Sequence, residues 1–245
     1  MLSGQPAVRT TAAGADQVMT IRVIAGEISA KDVTIRSLIP SSSQPRWPPL
    51  ERVAETIATP RRRFPAHGHA GVEVLTYVTE GSGLYSYGEG PEEAVAPGSV
   101  QLLFASTNVA HAINPGKGQM LRWFSVVAAL PATTTTANGL QSTYAREGAL
   151  AADGTTTRFL VGPASAIRSA IGLEAYEVAF RSEGTSFRKI GHGFNSVVYA
   201  FSGAGSLDGH PIELGEAAIV EDAAGVALHG RPGFRTVLIK VPRPT

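Results

Sequence analysis

Short apolar runs rich in β-branched and aromatic residues, separated by Gly and Pro turns, recur along most of the chain. Turn signals every ~8 to 12 residues between such runs are typical of a β-sandwich or β-barrel. Clear examples are VEVLTYV from Val72, LYSY from Leu84, SVQLLF from Ser99 and MLRWFSVV from Met120. One segment departs from this pattern, because residues 52–59 are interpreted as a short helix or turn. The pattern predicts an all-β protein.

The two halves of the chain share this pattern, which indicates an internal repeat. VEVLTYVTEGSGLYSYG at 72–88 aligns with FNSVVYAFSGAGSLDG at 194–209, and an alignment of the following segments matches His111 with His229. Two barrels built from one ancestral unit explain this match. The predicted organisation is a flexible tail at 1–18, a first barrel at 19–130, a linker at 131–154 and a degenerate second barrel at 155–245.

Composition and charge exclude several classes of function. The net charge is +1 and 17% of the residues are charged, whereas a nucleic-acid-binding protein would show a concentrated basic face. The basic cluster Arg61–Arg63 is interpreted as a solvated loop, with attraction of an anionic substrate as the alternative. The chain has no cysteine, and no run of about 18 apolar residues that would predict a membrane span. We therefore expect a soluble, cytoplasmic protein without a nucleic-acid or membrane partner.

A row of metal-binding residue types lies in the segment FPAHGHAGVEVLTY at 64–77, which carries His67, His69 and Glu73. In an extended strand, residues two apart face the same side, so these three side chains are expected on one face. Two imidazoles and a carboxylate can together hold one divalent metal ion. His111, one hairpin downstream, would complete the set.

A hydrogen-bonded core histidine is the alternative for any single member of this row. The whole row is harder to explain by packing, because every buried polar group needs a partner and a metal supplies one to all of them. The internal repeat provides a control, since the second copy replaces His67, His69 and Glu73 by Lys189, Gly191 and Asn195. The second copy keeps the fold pattern without the row, which favours a site in the first barrel.

These motifs resemble a known superfamily. Two segments resemble the two cupin motifs. The first is HxHxxxE from His67, which is followed by a hairpin with glycines in its turn. The second is a Pro-Gly turn, which is followed by a strand and His111. HGHAGVEVLTYVTEG further resembles pirin-like proteins, in which two cupin barrels lie in tandem, and Gly98 and His111 keep the twelve-residue gap found in pirin-like chains. The resemblance covers residues 64–127 well. It implies two cupin-type (jelly-roll) β-barrels, the second one degenerate.

The resemblance also implies a ligand set. His67, His69 and His111 correspond to ligands of one divalent transition metal, which would be Fe, Ni, Mn or Cu. Pirin-like proteins usually place a fourth ligand, a Glu, two residues after the second-motif histidine, and Ile113 stands there in this chain. Glu73 is therefore either the fourth ligand or a catalytic base. Absence of any metal is the alternative.

Three hypotheses of function follow. The resemblance implies a metal-dependent dioxygenase that acts on an enolisable aromatic or flavonol-like small molecule, with Glu73 taking the substrate's proton. The second hypothesis is a non-redox isomerase or cyclase that uses the same cavity to tailor secondary metabolites, and the third is a non-enzymatic binding or regulatory protein. Tyr77, Tyr85 and Arg122 are predicted to contact or orient the substrate, with ordinary core packing as the alternative.

Overall fold

The computed structural model describes residues 20–25, 27–30, 32–41, 44–135 and 137–243. In this part of the chain the regular secondary structure consists of β-strands alone, which confirms the predicted all-β class. No helix in these ranges is long and apolar enough to cross a membrane, and the cytoplasmic location stays a prediction. The predicted tail at 1–18 lies outside the described residues.

The strands fall into two compact units, each built from two antiparallel sheets. The strands up to Tyr144 are, in chain order, β1 (Thr20–Ala25), β2 (Glu27–Ala30), β3 (Val33–Ile39), β4 (Leu50–Ala58), β5 (His67–His69), β6 (Val72–Gly81), β7 (Gly83–Tyr87), β8 (Glu93–Val95), β9 (Ser99–Ala105), β10 (Val109–Pro115), β11 (Leu121–Ala129) and β12 (Gly139–Tyr144). The later strands are β13 (Thr155–Val161), β14 (Glu174–Phe180), β15 (Gly184–Lys189), β16 (Phe194–Ser202), β17 (Gly205–Leu207), β18 (His210–Ile212), β19 (Glu216–Glu221), β20 (Gly225–Gly230) and β21 (Arg235–Pro242).

The first barrel contains residues 27–145 together with 169–171. Its larger sheet has the strand order β12-β9-β6-β11-β4-β3-β2, and its smaller sheet has the order β5-β10-β7-β8. The second barrel contains the remaining described residues. Its two sheets have the orders β1-β19-β16-β21-β14-β13 and β15-β20-β17-β18.

The strand orders confirm the internal repeat. Strands β3 to β11 recur as β13 to β21 in the same sheet positions, ten strands later in the chain. Outside this repeat, β12 lies beside β9 in the first barrel whereas β1 lies beside β19 in the second, and β2 is an additional strand beside β3 in the first barrel. The structure thus differs from the expected boundaries: β1 joins the second barrel, residues 139–144 of the expected linker form a strand of the first, and residues 169–171 belong to the first barrel.

Residues 52–59 do not form the predicted helix or turn. Most of this segment belongs to β4, which pairs with β3 on one side and with β11 on the other. Val53, Ala54, Glu55 and Thr56 are all buried, so both faces of the strand are covered. A strand that is buried on both faces loses the period of two that identifies a strand in a sequence.

Candidate metal centre

His67, His69 and His111 converge at one end of the smaller sheet of the first barrel. His67 and His69 are the first and last residues of β5, and His111 on β10 lies directly opposite His67. The imidazole centroids are 4.6 Å apart for His67 and His111 and 5.0 Å apart for the other two pairs. One nitrogen from each ring lies within 4.8 Å of the other two. The sheet register alone therefore produces a three-histidine cluster.

The hydrogen bonds of this cluster leave nitrogens free to bind a metal. Nδ1 of His111 lies 3.0 Å from the Tyr85 hydroxyl, and Nδ1 of His67 lies 3.4 Å from the Pro65 carbonyl oxygen. Nε2 of His69 and Nε2 of His111 are buried and have no hydrogen-bond partner among the described residues. A buried nitrogen without a partner costs free energy, and a divalent ion would satisfy both at once. Three imidazoles suit Fe, Ni, Cu or Zn.

Burial keeps two of these histidines in the form that binds metals. Desolvation, assisted by repulsion from His67 and His69, lowers the pKa of His111 to about 3. Desolvation also lowers the pKa of His69, with smaller contributions from His67 and Arg52. Both imidazoles are consequently neutral at physiological pH. Only a neutral imidazole has the lone pair that a metal ligand needs.

The triad opens into a cavity of 280 Å³ within the first barrel. The described lining combines the three imidazoles with apolar and small polar side chains and two arginines, and it contains no Asp or Glu. The nonpolar part of the wall includes Ile35, Phe64, Val74, Ile113, Trp123 and Val127. Phe64 and Trp123 pack edge to face with centroids 5.5 Å apart. The cavity thus offers an aromatic wall beside the histidines.

Glu73 does not join the triad, contrary to the expected common face. Gly71, with a φ of +71°, separates β5 from β6, and the two strands lie in different sheets. Val74 on β6 lines the cavity, so the alternation of the strand directs Glu73 to the opposite face. There the buried carboxylate accepts hydrogen bonds from the Ser169 hydroxyl at 2.7 Å and the Ala170 N–H at 2.5 Å. This position fits neither a metal ligand nor a base in the cavity.

The predicted substrate-binding residues also lie elsewhere. Tyr77 is fully buried, and it shares with Glu73 the face of β6 that points away from the cavity. Arg122 forms a short ion pair, at 2.6 Å, with the buried Glu55 instead of lining the cavity. Tyr85 does not line the cavity, and it contacts the ligand set through its hydrogen bond to His111. None of the three is placed to contact a substrate directly.

The second barrel has lost the triad, but not at the positions that the sequence alignment predicts. In the first barrel Pro115 pairs with Gly83, and in the second barrel Gly230 pairs with Gly205. Pro115 therefore corresponds to Gly230. Four residues before these two positions lie His111 and Val226, so the counterpart of His111 is Val226 and not His229. Val226 faces Arg188, which therefore stands where His67 stands in the first barrel. A buried apolar residue and an arginine replace two ligands. His229 is exposed and lies near Thr185.

Arg52 and Arg62, neither of which the sequence motifs single out as a site residue, both line the cavity. Arg52 lies on β4 opposite Val127 of β11, and the predicted helix or turn at 52–59 concealed this placement. The signal in the sequence is the alternation of side chains along a strand, because Arg52 and Thr56 lie on the same face if this segment is extended. Arg62 belongs to the basic cluster Arg61–Arg63, for which the sequence predicts a solvated loop with attraction of an anionic substrate as the alternative.

The comparisons with known proteins agree with this architecture. A family profile described as Pirin matches residues 40–125. A pirin-like protein of Caulobacter vibrioides is 28% identical over 193 residues, which cover 69% of each sequence. Both matches support the resemblance that the histidine motifs carry.

Solved structures extend the likeness over most of the chain. The bacterial pirin YhhW from Escherichia coli, in complex with nickel(II), has a TM-score of 0.78 at 16% identity, covering 92% of this chain and 100% of its own. A quercetin 2,3-dioxygenase from Acinetobacter baumannii has a TM-score of 0.76 at 17% identity, covering 91% of this chain and 79% of its own. Together with the repeated barrels and the histidine motifs, these matches support the resemblance of the chain to the pirin-like bicupins of the cupin superfamily.

Proposed function

We propose that this pirin-like bicupin is a metal-dependent enzyme of the dioxygenase type that acts on a small enolisable aromatic molecule. The observation that carries the proposal is the pair of unsatisfied Nε2 atoms of His69 and His111, which lie with His67 at an aromatic-walled cavity. Similarity of fold to a nickel-bound pirin and to a quercetin 2,3-dioxygenase supports it. The Zn²⁺ ion, which imidazoles also accept, is less suited because it does not undergo redox chemistry.

Each part of the first barrel has a distinct role in this proposal. A divalent ion held by the three histidines would supply Lewis acidity and open positions for the substrate and O₂. Phe64 and Trp123 would hold the aromatic ring of the substrate in the cavity. The apolar lining would exclude water, which strengthens electrostatic interactions with the substrate. Incorporation of both atoms of O₂ into the product needs no external reductant.

The position of Glu73 narrows the choice of substrate. No carboxylate among the described lining residues can take the proton of the substrate. A substrate that ionises readily, and therefore enters as the enolate, avoids the need for such a base. This requirement favours acidic enols, 1,3-dicarbonyl compounds and 2-oxo compounds over simple ketones as substrates.

Metal content and oxygen uptake test the proposal. The protein is purified without chelators or a histidine tag, and the metal content of the wild type is compared with those of His69→Ala and His229→Ala. We expect about one equivalent of Fe, Ni, Mn or Cu in the wild type and in His229→Ala, and none in His69→Ala. The loaded wild type should then consume O₂ with flavonols or other enolisable aromatics.

Other results would redirect the proposal. Equal metal loss in His69→Ala and His229→Ala would contradict the site. Conversion of a substrate without O₂ uptake would replace the dioxygenase by a non-redox isomerase or cyclase. A protein that cannot be loaded with any of the four metals would point to a binding or regulatory role.

A further inference from the structure

Two arginines line the cavity of the first barrel without belonging to the ligand set. Arg52 projects from β4, opposite Val127, and Arg62 lies in the loop before β5. In the part of the chain that the structure describes, neither forms an ion pair with a carboxylate. The guanidinium carbon of Arg62 lies 4.9 Å from the centroid of Phe64, above the aromatic wall. Both cations are therefore available to a bound molecule.

The loop next to Arg62 offers a contrast. Arg63 donates hydrogen bonds from Nη1 to the backbone carbonyl oxygens of Pro115 and Arg62, at 3.0 and 3.1 Å. Its guanidinium is thus used to fix the loop against β10. Arg61 is exposed and is not among the lining residues. Of the three consecutive arginines, only Arg62 faces the cavity.

The charged side chains that line the cavity among the described residues are all positive. Two guanidinium groups and three imidazoles line it, no described Asp or Glu does, and the uncharged Ile113 lies two residues after His111. A divalent ion would add further positive charge. Partial burial lowers the pKa of Arg52, although the residue keeps an exposed part and its guanidinium stays protonated. An anionic ligand would compensate this charge.

We propose that the substrate carries a carboxylate in addition to its enolisable carbonyl, and that Arg52 binds this carboxylate. The planar guanidinium matches a carboxylate with two parallel hydrogen bonds. The aromatic ring packs on Phe64 and Trp123, and Arg62 closes the cavity above it. The volume of 280 Å³ lies just below the roughly 300–1,000 Å³ usual for ligand pockets, which fits a molecule with a single ring. The substrate class is an enolisable aromatic acid.

This inference deepens the proposed function, but its test depends on binding and not on turnover. Phenylpyruvate, an enolisable aromatic acid, is compared by calorimetry with phenylacetone, which lacks the carboxylate. Both are titrated into metal-free and Ni²⁺-loaded protein, because chelation of the ion by the acid contributes only in the second case. The variants are Arg52→Gln, Arg52→Lys and, as the matched control, Arg61→Ala, and the metal content of each is measured.

We expect the wild type to bind the acid at least about tenfold more tightly than the ketone, with or without metal, since a charged hydrogen-bond pair corresponds to roughly a 10- to 100-fold effect. Arg52→Gln should remove this preference, Arg52→Lys should retain part of it, and Arg61→Ala should leave it intact, all with normal metal content. Equal binding of the two probes, binding of neither, or a preference that survives in Arg52→Gln would overturn the inference. A protein that prefers the acid over the ketone but shows no O₂ uptake would contradict only the proposed dioxygenase activity, not the binding of a carboxylate by Arg52.

Discussion

The Tyr85 hydroxyl lies 3.0 Å from Nδ1 of His111, and both side chains are buried. Burial raises the pKa of Tyr85, so that the phenol remains neutral. With Nδ1 occupied by this contact, Nε2 of His111, which has no hydrogen-bond partner among the described residues, is the nitrogen left for a metal. Partners of this kind fix the tautomer and orientation of metal-binding histidines. Tyr85, predicted to contact the substrate, thus supports the ligand set instead.

Replacing Tyr85 by Phe should weaken metal binding without unfolding the first barrel. The ring of Phe fills the same space but leaves Nδ1 of His111 without its partner, so the imidazole loses its fixed orientation. Loss of such a partner typically reduces metal affinity by about 10- to 100-fold. Competition with a chromophoric chelator measures this change. Tyr77→Phe, which removes a hydroxyl on the other face of β6, should keep the wild-type affinity, and equal weakening in both variants would contradict the role of Tyr85.

Replacing Glu73 by Ala should destabilise the first barrel and leave its metal content unchanged. The Ser169 hydroxyl and the Ala170 N–H would lose their acceptor, and an unsatisfied buried donor costs about 1 to 3 kcal/mol. Urea unfolding and elemental analysis of the same preparation separate the two effects. Ser169→Ala should show the milder loss of stability. A folded Glu73→Ala protein that no longer holds metal would restore Glu73 as a ligand.

Replacing Ile113 by Glu should strengthen metal binding. Ile113 lines the cavity two residues after His111 on the same face of β10, so a carboxylate there would reach the ion as a fourth ligand. We expect an affinity increase of about tenfold or more, since an anionic ligand compensates the charge of the ion. The metal-free variant should lose about 1 to 3 kcal/mol of stability, because Ile113 is buried. Ile113→Gln, without the charge, should gain little affinity, and an unchanged affinity in the Glu variant would show that position 113 does not face the ion.

Glu147 should make the second barrel sensitive to acid. A hydrogen bond from Thr156, together with Arg181 and Arg158, lowers the pKa of this carboxyl from 4.5 to about 2. A lowered pKa contributes stability that is complete above the unfolded value and disappears as the pH falls from about 4.5 to about 2. Glu147→Gln should therefore cost about 1 to 2 kcal/mol at pH 6 and progressively less at lower pH. Urea midpoints between pH 6 and pH 3 measure this, and parallel curves for the two proteins would contradict it.

The periodic part of the sequence predicted most of the fold. The β-rich runs, the internal repeat and the histidine spacing led to two cupin barrels and to the three candidate ligands. His67 and His69 could be assigned together because both lie in one uninterrupted strand. Glu73 could not, because Gly71 separates β5 from β6, which lies in another sheet, and the pattern of the sequence does not reveal where an extended row breaks.

The residues that shape the cavity were harder to predict. Arg52 lies on a strand buried on both faces, where the alternation of polar and apolar residues is absent. The correspondence of His111 with Val226 depends on hydrogen-bonded register, which an alignment with small loop differences shifts by a few residues. Tyr85 and Tyr77 look alike in the sequence, and only the strand pairing separates a partner of the ligand set from a buried phenol on the face of β6 that points away from the cavity.

The path of the chain through the two barrels has a genetic consequence. The second barrel takes β1 from the beginning of the sequence, whereas residues 169–171 belong to the first barrel although their neighbours on both sides belong to the second. A single cut in the gene therefore cannot release either barrel whole. Fusion, fission or exchange with another gene must carry both copies, so the barrel that lost the histidines is inherited with the one that kept them.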